Sequence, residues 1–195
     1  MIDFAAYSFA PVIQLPKDYE VYDFTQGYDE NRLLKGSYGV GKYNEKRQNM
    51  YDAALFEGKR NIHMGIDIGA PINTAVHAFY EGEVFLYGNN PQVGDYGYTL
   101  ITKHQFGENV LYALFGHLSA KSIEGKVAGQ KFAQGEVLAW VGDKSENGGW
   151  NPHLHFQLSY IKPDRCDLPG VVSEEYRAEA LRNFPDPQLV LGKLY

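Results

Sequence analysis

Pro152-His153-Leu154-His155-Phe156-Gln157-Leu158-Ser159-Tyr160 is the stretch on which the fold class turns. Leu154, Phe156, Leu158 and Tyr160 alternate with His153, His155, Gln157 and Ser159, the period of two of a β-strand with one apolar face. Both histidines then share the other face, about 7 Å apart along the strand. A one-residue slip would bury the polar set, so burial of the leucine face holds the register. Pro152 stands at the strand start, where its missing N–H does least harm.

A second histidine-bearing stretch has the same texture. In Asn61-Ile-His63-Met-Gly-Ile-Asp67-Ile-Gly69, the residues Ile62, Met64, Ile66 and Ile68 alternate with His63, Gly65, Asp67 and Gly69. His63 and Asp67 are expected on one face and the apolar residues on the other. A helix would also bring i and i+4 together, but Gly65, Gly69, Pro71 and the β-branched residues disfavour it. A straight strand separates the two Cα atoms by roughly 13 Å, too far to share an ion. The strand must bend if both side chains ligate, and Gly65 permits the bend.

Working outward, residues 61–160 read as short strands between glycine turns: Ile62–Ile68, Glu83–Tyr87, Tyr98–Lys103, Val110–Leu118, Glu136–Val141 and His153–Tyr160. So many strands with few helical patterns imply a mainly β protein built on an antiparallel sheet. Upstream, Gly36-Ser-Tyr-Gly-Val-Gly41 reads as a loop. It is no dinucleotide fingerprint, since it follows no strand and opens no helix. Asn44 to Phe56 reads as a short helix capped by Asn44 and stopped by Gly58. Downstream, Ser173 to Phe184 reads as a helix with Ser173 as cap, ended by Pro185-Asp-Pro187. The organisation expected is an N-terminal extension over 1–60, a core over 61–160, and a C-terminal loop and helix over 161–195 in the same domain.

Composition narrows the chemistry. In 195 residues, 44% hydrophobic content excludes a disordered chain, and length alone allows a real core. A net charge of −6 argues against nucleic acid as a partner. The single cysteine, Cys166, excludes a disulfide framework and any multi-cysteine zinc site. Six histidines remain as the ligands or proton carriers to follow. Met1-Ile-Asp-Phe-Ala-Ala-Tyr has neither a basic n-region nor an apolar h-region, and no run of about 18 apolar residues follows. The expected location is the cytoplasm, with no membrane span; the alternative is the periplasm or cell envelope.

His63-x3-Asp67, Phe115-Gly-His117-Leu-Ser119 and Pro152-His153-Leu-His155-Phe156 together resemble the lysostaphin/LytM-type zinc metallopeptidases. Supporting pieces occur in the family's order: Gly65-Ile-Asp67-Ile-Gly-Ala-Pro71, Ala75-Val-His-Ala78, Gly82-Glu-Val84, Gly135-Glu-Val137 and Val141-Gly142. The resemblance implies an antiparallel sheet with a narrow groove and one zinc ion per chain. It implies His63, Asp67 and His155 as ligands, an open three-ligand arrangement with water in the fourth place. His117 and His153 would flank that water, one taking its proton and the other steadying the oxyanion; their order stays open. The reaction implied is hydrolysis of peptide bonds in peptidoglycan cross-links or muropeptides by a zinc-activated water.

Some features fall outside the motif. Trp150 and Asn151 are candidates for a groove wall, with capping of the core as the equal alternative for Trp150. Residues 36–56 are expected along one side of the groove. His77, His104 and Cys166 are read as structural. Phe115 stands where the family commonly carries a tyrosine. Two rival classes compete with the enzyme: a non-catalytic module that binds or activates other cell-wall enzymes, and a phosphocarrier-like β domain, in which Asp67 has no use.

Overall fold

The computed structural model describes residues 2–27, 38–51 and 53–195. Its centre is an eight-stranded sheet in the spatial order β1 (Glu20–Val21), β2 (Gly39–Gly41), β4 (Ile66–Gly69), β11 (His153–Ser159), β8 (Asn109–Leu118), β7 (Gly97–Phe106), β6 (Gly82–Asn90) and β9 (Lys131–Phe132). Every pairing is antiparallel except β1 with β2. Two small ribbons flank it: β5 (Ala75–His77) with β10 (Val137–Trp140), and β3 (Ile62–His63) with β12 (Val171–Val172). The mainly β class expected from the sequence is the class observed.

The alternating pattern of β11 packs as expected. Leu154, Phe156 and Leu158 enter the larger apolar cluster with Ile66, Ile68, Leu100, Ala113 and Phe115. The opposite face is also covered, because a second cluster of Tyr96, Ile101, Tyr112 and Leu114 shields His155, Gln157 and Ser159. Burying polar groups on that face costs free energy unless each is hydrogen-bonded.

The expected single strand Ile62–Ile68 is two strands. The chain breaks at Met64-Gly65, and β3 leaves the main sheet to pair with β12. The apolar residues consequently part company: Ile62 and Met64 join the second cluster, whereas Ile66 and Ile68 join the first. One uninterrupted apolar face is therefore replaced by two, on opposite sides of the bend.

The expected helix from Asn44 to Phe56 does not form. Asn44 has φ of +56°, and its N–H and the Glu45 carbonyl bond to His63, while Arg47 N–H bonds to Asn61. Lys46 bridges Ile62. A weak helix propensity loses to this ladder, which uses backbone groups that a helix would have satisfied locally. Only Ala54–Phe56 forms a 3-10 turn. The expected loop 36–41 is corrected in its described part, where Gly39–Gly41 is β2; positions 36 and 37 lie outside the described residues.

At the C-terminus, a 3-10 turn at Glu174–Tyr176 precedes α1 (Arg177–Asn183), and Pro185-Asp-Pro187 separates it from α2 (Gln188–Leu191). Ser173 makes no side-chain capping bond. The tail is tied to the N-terminal segment: Tyr43 Oη donates to the Phe184 carbonyl at 2.6 Å, and Arg177 Nε donates to Asn44 Oδ1 at 2.9 Å. Residues 2–13 close the far side of the sheet, with Tyr7 edge-on to Phe106 at 4.9 Å between ring centres.

His104, fully buried in β7, donates from Nδ1 to the Glu81 carbonyl at 2.9 Å and accepts from Thr102 Oγ1 at 2.7 Å. Burial pushes its pKa down to about 4, so the neutral ring is the folded form. A lowered folded pKa means stability present above the unfolded value of about 6.5 and lost as pH falls towards 4. We expect His104→Gln to cost stability at pH 7, and the difference from wild type to shrink by about 3 kcal/mol at most between pH 7 and 4. Urea denaturation at both pH values checks this; a constant difference would refute it.

Candidate metal centre and groove

Adjacent strands set the site. Asp67 on β4 lies directly between Gly41 on β2 and His155 on β11. The break after His63 lets β3 swing its imidazole back over Asp67, the bend that a shared ligand pair requires. His63 Nε2 and His155 Nδ1 each lie 3.1 Å from Asp67 Oδ1, and 3.0 Å from one another. All three residues are buried.

The outer atoms of these side chains are each held. His63 Nδ1 faces the Lys42 carbonyl at 3.0 Å, so that nitrogen carries the proton. His155 Nε2 faces Gln157 Oε1 at 3.1 Å, an amide orientation supported by Gln157 Nε2 pointing to the Pro169 carbonyl. Asp67 Oδ2 accepts from Arg47 Nη1 at 2.7 Å. In neutral rings the inner nitrogens then present lone pairs, and two lone pairs meet a carboxylate oxygen with no proton between them. Burial pushes the His63 pKa down to about 4, helped by the Arg47 charge. Burial alone would raise the Asp67 carboxyl, yet the buried Arg47 guanidinium on Oδ2 holds it well below the usual carboxylate range. Such a triangle repels itself unless a cation sits among the three atoms.

The dimensions fit zinc. Bonds of about 2.0–2.1 Å at tetrahedral angles put neighbouring ligand atoms about 3.3 Å apart. The observed edges of 3.0–3.1 Å come close to that with no protein movement beyond a few tenths of an ångström. Two nitrogens and one carboxylate oxygen are a donor set suited to zinc, and a tetrahedron leaves a fourth position open.

Beside this triangle stand the other two histidines of the expected set. His153 Nδ1 donates to the Asn151 carbonyl at 2.6 Å, and its Nε2 lies 3.8 Å from Asp67 Oδ1. His117 Nδ1 donates to the Asn147 carbonyl at 2.8 Å, and the rings of His117 and His153 lie 4.2 Å apart. His117 has φ of +62°, held by its N–H bond to Tyr96 and the Gly142 N–H bond to its carbonyl. Burial pushes both rings' pKa values down, His117 the further.

Residues 61–167, more than half of the chain, match the family model described as peptidase family M23. The chain belongs to that family. Among solved structures, the M23 chain is similar to the catalytic domain of the antimicrobial peptidase lysostaphin from Staphylococcus simulans: 21% identity, a TM-score of 0.50, and coverage of 76% of this chain and 96% of that one. A zinc-containing peptidase from Vibrio cholerae aligns at 22% identity and a TM-score of 0.47, over 82% of this chain and 41% of that one. A peptidase from Pseudomonas aeruginosa aligns at 23% identity and a TM-score of 0.43, over 67% and 43% respectively. This chain thus spans about two fifths of those last two proteins. No curated protein matches.

A cavity of about 380 Å³ opens over the M23 triangle and both flanking histidines. Trp150 lines it, edge-on to His117 at 6.4 Å. Asn151 is buried and borders a smaller hollow beside Tyr22 and Phe24. Met50, Tyr51, Leu55 and Phe56 line the cavity as well. His77 lies in β5 and His104 in β7, neither on the cavity wall. Cys166 is half-buried, with its thiol towards the Thr99 carbonyl, and burial pushes its pKa up to about 12.

Sequence reasoning missed the residues that hold His63, Asp67 and His155 from behind. Gln157 did carry a signal, since it shares the histidine face of β11 at period two. Arg47 carried none: it lies 20 positions before Asp67, inside a stretch whose spacing suggests a helix. Asn147 is similar, and its amide grips the turn at 149–150 while its carbonyl holds His117.

Gly65 makes the bend sterically feasible. A Cβ there would stand 2.5 Å from His155 Cε1 and 2.9 Å from the Phe156 carbonyl oxygen. We expect Gly65→Ala to displace the His155 ring, to destabilise the fold by about 1–3 kcal/mol, and to lower metal uptake. Urea denaturation and metal analysis check this, and an unchanged midpoint with full metal content would overturn it.

Proposed function

We propose that this chain is a zinc-dependent metalloendopeptidase acting on peptide bonds of peptidoglycan cross-links or muropeptides. The observation that carries the reading is the buried triangle of His63, Asp67 and His155 with two further imidazoles beside it, inside a groove. Membership of a peptidase family supports the reaction class. A bound zinc ion supplies Lewis acidity to the scissile carbonyl and to the attacking water.

The chain's own groups do the rest. His63, Asp67 and His155 hold the metal on one side and leave the groove side open. His117 and His153 have given Nδ1–H to backbone carbonyls, so Nε2 is the free position on each ring. A proton accepted at one Nε2 is handed to the departing amine from the same atom, which makes that ring base and then acid. The groove wall offers Tyr51, Tyr96 and Trp150 as apolar surfaces, with Arg60, Arg165, Asp95 and Asp167 among its charged residues. Mixed charge of that kind suits a peptide bearing both carboxylates and amines, as muropeptides do.

Purified protein is expected to hold about one zinc per chain, and His155→Ala to lose most of it, since a three-ligand site loses a third of its donors. His153→Ala is expected to keep the metal and to lose at least about 100-fold in turnover. The assay incubates the zinc-loaded chain with intact sacculi and with purified muropeptides, and identifies the cut bond by mass spectrometry. Cleavage of muropeptides alone would favour action on released fragments. No cleavage of either by zinc-loaded wild type would favour the non-catalytic binding module instead.

A further inference from the structure

Among the described residues, Arg47 is the largest fully buried side chain that carries a charge, and it does not belong to the matched segment 61–167. Its guanidinium is fixed from every side. Nε donates to Glu45 Oε2 at 3.0 Å, Nη1 to Tyr51 Oη at 2.9 Å, and Nη2 to the Lys42 carbonyl at 3.3 Å. The Phe24 ring lies 4.8 Å beneath it. Room for it depends on Gly41, where a Cβ would stand 2.8 Å from Nη2. The remaining contact is the short one, Nη1 to Asp67 Oδ2 at 2.7 Å.

Burying an arginine among two carboxylates is a poor way to gain stability. The desolvation cost of such groups commonly matches or exceeds their attraction, and apolar replacements of like volume are often neutral or better. The consequence for Asp67 is different in kind. An aspartate with both oxygens free can swing to chelate a cation through both. A carboxylate with Oδ2 pinned by a rigid fork offers the cation Oδ1 alone.

We propose that Arg47 is a positioning residue of the metal centre, which keeps Asp67 a one-oxygen ligand and thereby keeps the fourth coordination position open for water and substrate. The inference rests on the metal site proposed above. It also ties three residues of the N-terminal segment to that site: the Lys42 carbonyl holds His63, Arg47 holds Asp67, and Tyr51 meets both Arg47 and the groove. Groups that hydrogen-bond a metal ligand from behind orient it and tune the metal it binds.

Cobalt(II) is the probe, because its visible absorption is strong in four-coordinate sites and several-fold weaker in five-coordinate ones. Wild type loaded with cobalt is expected to give the strong bands of three protein ligands and one water. Arg47→Met is expected to weaken them several-fold as Asp67 Oδ2 joins the ion, and Arg47→Lys, with a charge but no fork, to fall between. Because Arg47→Met leaves Glu45 buried without its partner, the double variant Glu45→Gln/Arg47→Met is made in parallel and should show the same weakening. Glu45→Gln alone breaks the neighbouring ion pair but not the Asp67 contact, and should keep the wild-type spectrum.

Stoichiometric cobalt with wild-type band intensity in the Arg47 variants would overturn the inference and leave the peptidase reading intact. So would a five-coordinate spectrum in wild type, or an equal loss in Glu45→Gln, which would mark a purely structural role. A wild-type chain that takes up no cobalt and no zinc would overturn both this inference and the metal site beneath it.

Discussion

Asp67 divides its two oxygens between two tasks, and the rest of the site is arranged around that division. Oδ1 meets His63 Nε2 and His155 Nδ1 at 3.1 Å each, while Oδ2 is given to Arg47 at 2.7 Å. Both histidines have their outer nitrogens on acceptors, so the inner atoms converge as lone pairs rather than as hydrogen-bond partners. Three buried acceptors pointed at one another is an arrangement that folding alone does not favour. It makes physical sense as a cation site whose geometry the protein prepares.

That preparation explains features of the fold that otherwise look incidental. The main sheet breaks after His63 because a straight strand cannot bring both ends of His63-x3-Asp67 to one point. The break moves Ile62 and Met64 to the second apolar cluster, which covers the polar face of β11 and dries the site. Drying strengthens every electrostatic contact there, including the pair formed by Asp67 and Arg47. Residues 38–51 act as the outer wall, held to β3 and β4 on one side and to the C-terminal tail on the other.

Much of the fold was legible because the sheet's strands obey simple periodicity. Leu154, Phe156 and Leu158 face one core, and the histidines between them face the site. The five side chains of the candidate site were reached through the resemblance of their motifs to the lysostaphin/LytM-type peptidases, while alternation alone put His153 with His155, and His63 with Asp67, on shared strand faces. Two things were hidden. The stretch 44–56 has helical spacing, yet its backbone is recruited to His63 and Asn61, and no local pattern records that competition. Ile62 and Ile66 look alike in the alternation but end in different clusters, because the bend between them is a property of where the chain must go next.

The sequence by itself determined the β class and the two faces of β11, because side-chain alternation is a local consequence of backbone geometry, and its motifs named the candidate ligands through their family resemblance. Tertiary structure alone decided that Arg47 stands behind Asp67, that Lys42 and Gln157 set the two tautomers, and that the walls around Tyr51 and Trp150 form one cavity. Those contacts join residues far apart in the chain. Their energies depend on burial and on the exact placement of charges, which exist only once the sheet, the bend and the N-terminal wall have come together.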